Sequence, residues 1–381
     1  MQTDRWVLFR VIVGAAVVMS AVEACGGGGG GGSNQPPGPI PSASAPSYSA
    51  GVGTSPLPAP SPSATASGTT VAGSVALIPN DGFGPFVILG YTYAFDSAGS
   101  PLSGATVIIG PVPIVGATPP ASLPAGDVST KTTTTGAFSV NVPTPPASPA
   151  LSEPFVIPTN NITNFTPPST GYYVEVFGSG TDGLTAGMPL PLHSFRAAST
   201  SLALHVTTST SAESAALAAV NSDRASNAGA GALIFDEAAE EAARLHAYDE
   251  ANNGYYCHYD LHNVGPSSRY LNNGGVGLVG EAIGLPGSGV TSSSQAFSVT
   301  ESAILAEKPT SGGHYTNLVD SAHLWSGLAA FADQTLPTFY AVDYELVTPS
   351  AVDSVVGSSG YEVLFGAAYA GCPAGTSDNN S

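Results

Sequence analysis

Asn221-Ser-Asp-Arg224, Leu233-Ile-Phe-Asp-Glu237, Arg244-Leu-His-Ala247, Cys257-His-Tyr-Asp260, Arg269-Tyr270, Gly280-Glu-Ala-Ile283, Glu307-Lys308 and Gly313-His-Tyr-Thr-Asn-Leu-Val319 follow one another along one stretch of the chain. Local patterning around them predicts helices first. Ala216, Leu217 and Val220 form the apolar stripe of a helix over about 212–226. Asp236 is placed to cap a second helix running to Asn253, with Glu240 and Glu241 in its first turns, where the helix dipole favours carboxylates. Ala239, Ala242, Ala243 and His246 recur on its inner face. Leu324 to Phe331 and Thr338 to Tyr344 read as strands, so helices lead into late strands and α and β layers are expected to mix.

In their order and spacing these fragments resemble the CAP superfamily (cysteine-rich secretory proteins, antigen 5 and pathogenesis-related proteins) in its bacterial SCP-domain form, over about 211–345. The resemblance implies an α/β fold, a three-layer α-β-α sandwich with an open central cleft. It also implies that two His and two Glu face each other there: His258, Glu281, Glu307 and His314. Two neutral imidazoles, His258 and His314, can hold Zn²⁺ or another divalent cation and leave positions open for water or a ligand. Glu281 and Glu307 would orient the rings or serve as candidate general bases. The simpler alternative is that the four only hydrogen-bond among themselves and hold the cleft closed. Ala282 stands where the family carries the Asn of Gly-Glu-Asn.

The remaining His residues carry less. His246 reads as a packed core residue, His262 as a rim residue in a loop, and His323 has no assigned role. Neither a His-Glu-x-x-His helix nor a Gly-x-Ser-x-Gly elbow occurs. Cys257 and Cys372 suit a disulfide in an exported chain, closing a loop worth roughly 4–5 kcal/mol in the chain-entropy model. A free Cys257 acting as a third metal ligand is the alternative.

N-terminal to this stretch, residues 70–207 alternate β-branched and aromatic runs with turn residues. Strands are expected at 71–77, 87–93, 105–109, 137–142 and 172–177. Asp96-Ser-Ala-Gly-Ser-Pro-Leu-Ser-Gly-Ala-Thr-Val107, Thr134-Thr-Gly-Ala-Phe-Ser-Val140 and Gly171-Tyr-Tyr-Val-Glu-Val176 resemble the carboxypeptidase regulatory-like Ig-type domain. That implies an all-β Ig-like sandwich acting as spacer or adhesive module. Residues 25–69 are Gly, Pro, Ser and Ala with hardly a bulky side chain, which predicts a disordered tether.

Residues 1–24 read as a signal peptide, with Arg5 and Arg10 flanking a short n-region ahead of an apolar stretch from Val11 to Val22. Cys25, followed by seven glycines, resembles a bacterial lipobox cysteine and is the expected lipidation site, although Glu23 is unusual there. The resulting domain order is signal 1–24, tether 25–69, β-sandwich 70–207 and CAP domain 211–371. The chain is then exported: a lipoprotein at the bacterial cell surface or in the periplasm, or a secreted protein. The eight Lys and Arg cannot supply the cationic surface that nucleic-acid binding needs. Expected partners are the membrane, through the lipid, and a small lipid, peptide or cell-envelope ligand in the cleft. A metal-dependent hydrolase, or adhesion through the β module, are the rival readings. Acidic residues concentrate in the last part: 19 of 27 lie in 211–381, against four basic ones. Such a charge gathers cations from solution.

Overall fold

The computed structural model describes residues 68–78, 99–143, 171–178, 185–197, 200–253, 255–258, 260, 265–287, 289–332 and 340–349. The signal, the lipobox Cys25, the tether up to residue 67, the strand expected at 87–93, His262 and Cys372 lie outside these residues, and Thr69, the last residue of the expected tether, opens the first strand.

Eight strands make the first unit: β1 (Thr69–Ile78), β2 (Ser100–Pro101), β3 (Thr106–Gly110), β4 (Val128–Lys131), β5 (Ala137–Val142), β6 (Gly171–Phe177), β7 (Leu192–Ala197) and β8 (Ser201–Thr207). One sheet runs β2-β1-β5 with β8 joined in parallel to β1, and the other runs β4-β3-β6-β7. Strand alternation points Val71, Val75, Phe138 and Val142 of the first sheet, and Val107, Ile109, Val174 and Val176 of the second, into one core. Gly136 shows why the Thr-Thr-Gly turn needs its glycine: its φ is 71°, and a Cβ would lie 2.5 Å from the Val75 carbonyl oxygen.

The third sheet has the order β10-β12-β11-β9, built from β9 (Ile234–Phe235), β10 (Leu278–Gly284), β11 (Trp325–Ala332) and β12 (Tyr340–Thr348). Its helices are α1 (Ser211–Ala228), α2 (Glu237–Asn253), α3 (Pro266–Asn272), α4 (Ser293–Ala306) and α5 (Gly313–Leu318). The alanine face of α2 lets it sit directly on β11: a Cβ on Gly327 would lie 2.1 Å from the Ala239 backbone. Leu217 and Val220 of α1 and Phe297 and Ile304 of α4 pack with Leu328, Tyr344 and Leu346. No helix among the described residues is long and apolar enough to cross a membrane.

The expected three-layer α-β-α sandwich is corrected by this architecture. The described chain is β-rich, about 35% strand in several mainly antiparallel sheets. Two physical reasons stand out. Residues 192–207 and 278–284 carry Ser, His and Gly among apolar residues, yet pair as full ladders. And α3 and α5, at 7 and 6 residues, are too short to form a covering layer.

Nor are the two units separate bodies. Val107, Phe138 and Val174 share a continuous core with Ala239, Tyr270, Val279, Trp325 and Val347. His193 of β7 stacks on Trp325, ring centroids 4.2 Å apart, and its Nδ1 lies 2.9 Å from Oδ1 of Asp236, the residue before α2. Arg244 of α2 donates to Thr207 Oγ1 and the Thr208 carbonyl at the end of β8, and to Glu213 and Glu240.

Candidate functional site

The sheet ends at β10, an edge strand, and β-sheet alternation assigns its residues. Glu281 faces α2 and α3. Ala282 faces the other way, fully buried in the core with Phe297 and Tyr344. Ala282, where the resemblance to the CAP superfamily leads one to expect Asn, therefore packs on the side away from Glu281. Gly280 on the same side as Ala282 lets α5 close in, because a Cβ there would lie 2.0 Å from Asn317 Oδ1.

The four predicted residues come together as two pairs. His258, in the segment after α2, has its Nδ1 2.5 Å from Glu281 Oε2. His314, on α5, has its Nδ1 2.7 Å from Glu307 Oε1. The two rings face each other with centroids 6.4 Å apart and planes 27° from parallel. No three of the four bring ligand atoms within 4.8 Å of one another, so the arrangement is two backed imidazoles rather than a closed cage. Glu307 ends α4, and its other oxygen accepts from the Tyr315 backbone N–H. Gly312 makes room for it: a Cβ there would lie 2.5 Å from Glu307 Oε2. Glu301, one turn and a half earlier, lies on the other side of α4 against Asp223.

Burial opposes the charge on both carboxylates. At Glu281 the Arg269 guanidinium, His246 and His258 outweigh it and hold the carboxyl well below the usual range. At Glu307 the bond from His314 and backbone N–H groups hold it low as well. With Nδ1–H of each ring donating to a carboxylate, a cation could be taken only through Nε2. His314 Nε2 is buried and has no hydrogen-bond partner among the described residues.

Behind Glu281 lies a buried layer in which sequence reasoning gave a role only to His246, as a packed core residue. Arg269 of α3 donates to Glu281 and to the His258 carbonyl, and approaches Glu345 Oε1 at 3.5 Å. His246 Nδ1 lies 3.0 Å from Glu281 Oε1 and 3.2 Å from Asp343 Oδ2. Burial and then the Arg269 charge push His246 below the ordinary imidazole range. Burial, reinforced by neighbouring acids, pushes Asp343, Glu345 and Glu250 up. The signal for this layer was faint: Asp343 and Glu345 are two apart on β12, and Glu345 sits across from Glu281 in the register.

The remaining assignments resolve in part. Cys257 is disulfide-bonded, which removes it as a thiolate ligand; the expected partner Cys372 lies outside the described residues. His246 is the core residue expected of it. His323 is buried between Thr348 Oγ1 and Asn317 Oδ1. Groups of His, Glu and Asp that could hold a metal ion are present: His246, Glu281 and Asp343 form one, and His205, Glu237 and Glu241 another. In the first the Arg269 guanidinium already supplies the cation.

Comparison of the chain with protein-family models, curated proteins and solved structures finds no match.

Proposed function

We propose that the chain is an exported binding protein of the CAP type, whose edge cleft holds a divalent cation between His258 and His314. The ion and the cleft together would take a small amphiphile, a peptide or a cell-envelope component. This reading rests on motif order and on the site, not on the number of layers. The observation that carries it is the backing of both imidazoles: each Nδ1 is committed to its own carboxylate, and His314 Nε2 is buried without a partner among the described residues. An ion about 2.0–2.1 Å from each Nε2 at a tetrahedral angle would set the ring centroids roughly 5–5.5 Å apart. The observed 6.4 Å is wider, so the two rings would have to draw together on the ion.

Binding is favoured over hydrolysis by the two carboxylates. A general base works best with a pKa near the working pH. Glu281 and Glu307 are both held low and both are already hydrogen-bonded. Export is supported by the bonded Cys257, since disulfides persist in oxidising compartments. Anchoring through Cys25 belongs to the same proposal.

Titration calorimetry of the intact chain with Zn²⁺ tests the cleft. Wild type should show a binding event that disappears in His258→Ala and in His314→Ala. Unchanged heats in both variants would remove the cleft as a metal site.

A further inference from the structure

We propose that His205, Glu237 and Glu241 form a second divalent-cation site, a metal clamp between β8 and the first turns of α2. Glu237 and Glu241 are four apart, so they project from one face of the helix. His205 reaches them from β8, with Nε2 2.9 Å from Glu241 Oε2. One ligand atom from each of the three lies within 4.8 Å of the others.

Glu237 supplies the independent sign of a ligand. The residue is 1% exposed, and its Oε2 accepts from the Thr207 backbone N–H at 2.7 Å and from Thr207 Oγ1 at 2.8 Å. Its Oε1 is buried with no hydrogen-bond partner among the described residues. A buried carboxylate oxygen without a partner carries a desolvation cost that a cation removes. Thr207 meanwhile plays the outer part, fixing the carboxylate as a ligand needs. His205 provides the way in, its side chain 40% exposed.

One imidazole and two carboxylates suit a first-row divalent ion such as Zn²⁺ or Mn²⁺. Bonds of about 2.0–2.2 Å place ligand atoms roughly 3–4 Å apart, so small side-chain rotations close the site. Since β8 belongs to the first unit and α2 to the second, a bound ion would staple the two together. The role is structural and independent of the cleft.

Native mass spectrometry of the intact, Zn²⁺-loaded chain separates the two sites. Wild type should carry two ions, and the His258→Ala/His314→Ala double variant one. His205→Ala and Glu241→Gln should each lose the other ion. Glu241→Gln preserves shape, and its circular dichroism confirms that the loss is not unfolding. Zn²⁺ should raise the melting temperature of the cleft double variant, and that rise should vanish in His205→Ala. Retention of the full complement by both His205→Ala and Glu241→Gln would overturn the clamp. If only the cleft reading fails, the cleft double variant matches wild type while the clamp variants still lose an ion.

Discussion

At the scale of single residues, Arg269 carries more of the site than any predicted ligand. It is buried, neutralises Glu281 and fixes the segment bearing His258 through that residue's carbonyl. Replacing it by methionine strands buried carboxylates from α2, β10 and β12. Breaking a buried charge network in this way costs about 3–5 kcal/mol. Urea denaturation of Arg269→Met should show a loss of that size, and a loss under 1 kcal/mol would mean that the acids carry no charge. The sequence showed Arg269 as part of a motif but not as a hub. His258, Glu281, Glu307 and His314 were legible because each sits in a short, ordered fragment. Glu250, Asp343 and Glu345 were not, because the face each presents is set by strand register and helix packing.

At the scale of elements, α1 and α2 were legible from their spacing, and they span Ser211–Ala228 and Glu237–Asn253. β7, β8 and β10 were missed because Ser, His and Gly interrupt their apolar runs, while the ladders that hold them are made by distant partners. Helix pairing also writes a pH dependence. Glu301 of α4 meets Asp223 of α1, and burial, the bond to Asp223 and its charge push Glu301 up to about 8. Between the ordinary 4.5 and about 8 the folded chain keeps a proton that the unfolded chain releases. Stability from this pair therefore falls as pH rises through that window. His323 acts in the opposite sense: burial lowers it from 6.5 to about 4, so its share is lost as pH falls between those values. Melting curves of Glu301→Gln from pH 5 to 8 should decline less steeply than those of wild type, by the share of this one proton. Parallel wild-type and variant curves would contradict the shared proton.

At the scale of the molecule, the sequence suggested a β-sandwich spacer followed by a strongly acidic C-terminal domain. The structure joins them through His193 on Trp325, Arg244 on the end of β8 and one continuous core. These partners are tens of residues apart in the chain, so no local pattern announced them. A fragment beginning at Ser211 would expose Ala239, Trp325 and Val347, and should be molten, with dye-binding apolar surface and no sharp melting transition. A fragment melting cooperatively at the temperature of the full chain would show that the seam is dispensable.

The proposed cation site requires one arrangement: two imidazoles with Nδ1 held by carboxylates and both Nε2 atoms taken up by a shared ion. Long-range ¹H–¹⁵N correlation spectra of the histidine rings report this directly. In the metal-free chain His258 and His314 should both show the Nδ1–H form. On adding Zn²⁺, both Nε2 resonances should move together and saturate at one ion per cleft. Nε2–H forms, or Nε2 resonances that stay in place with saturating Zn²⁺, would contradict the account.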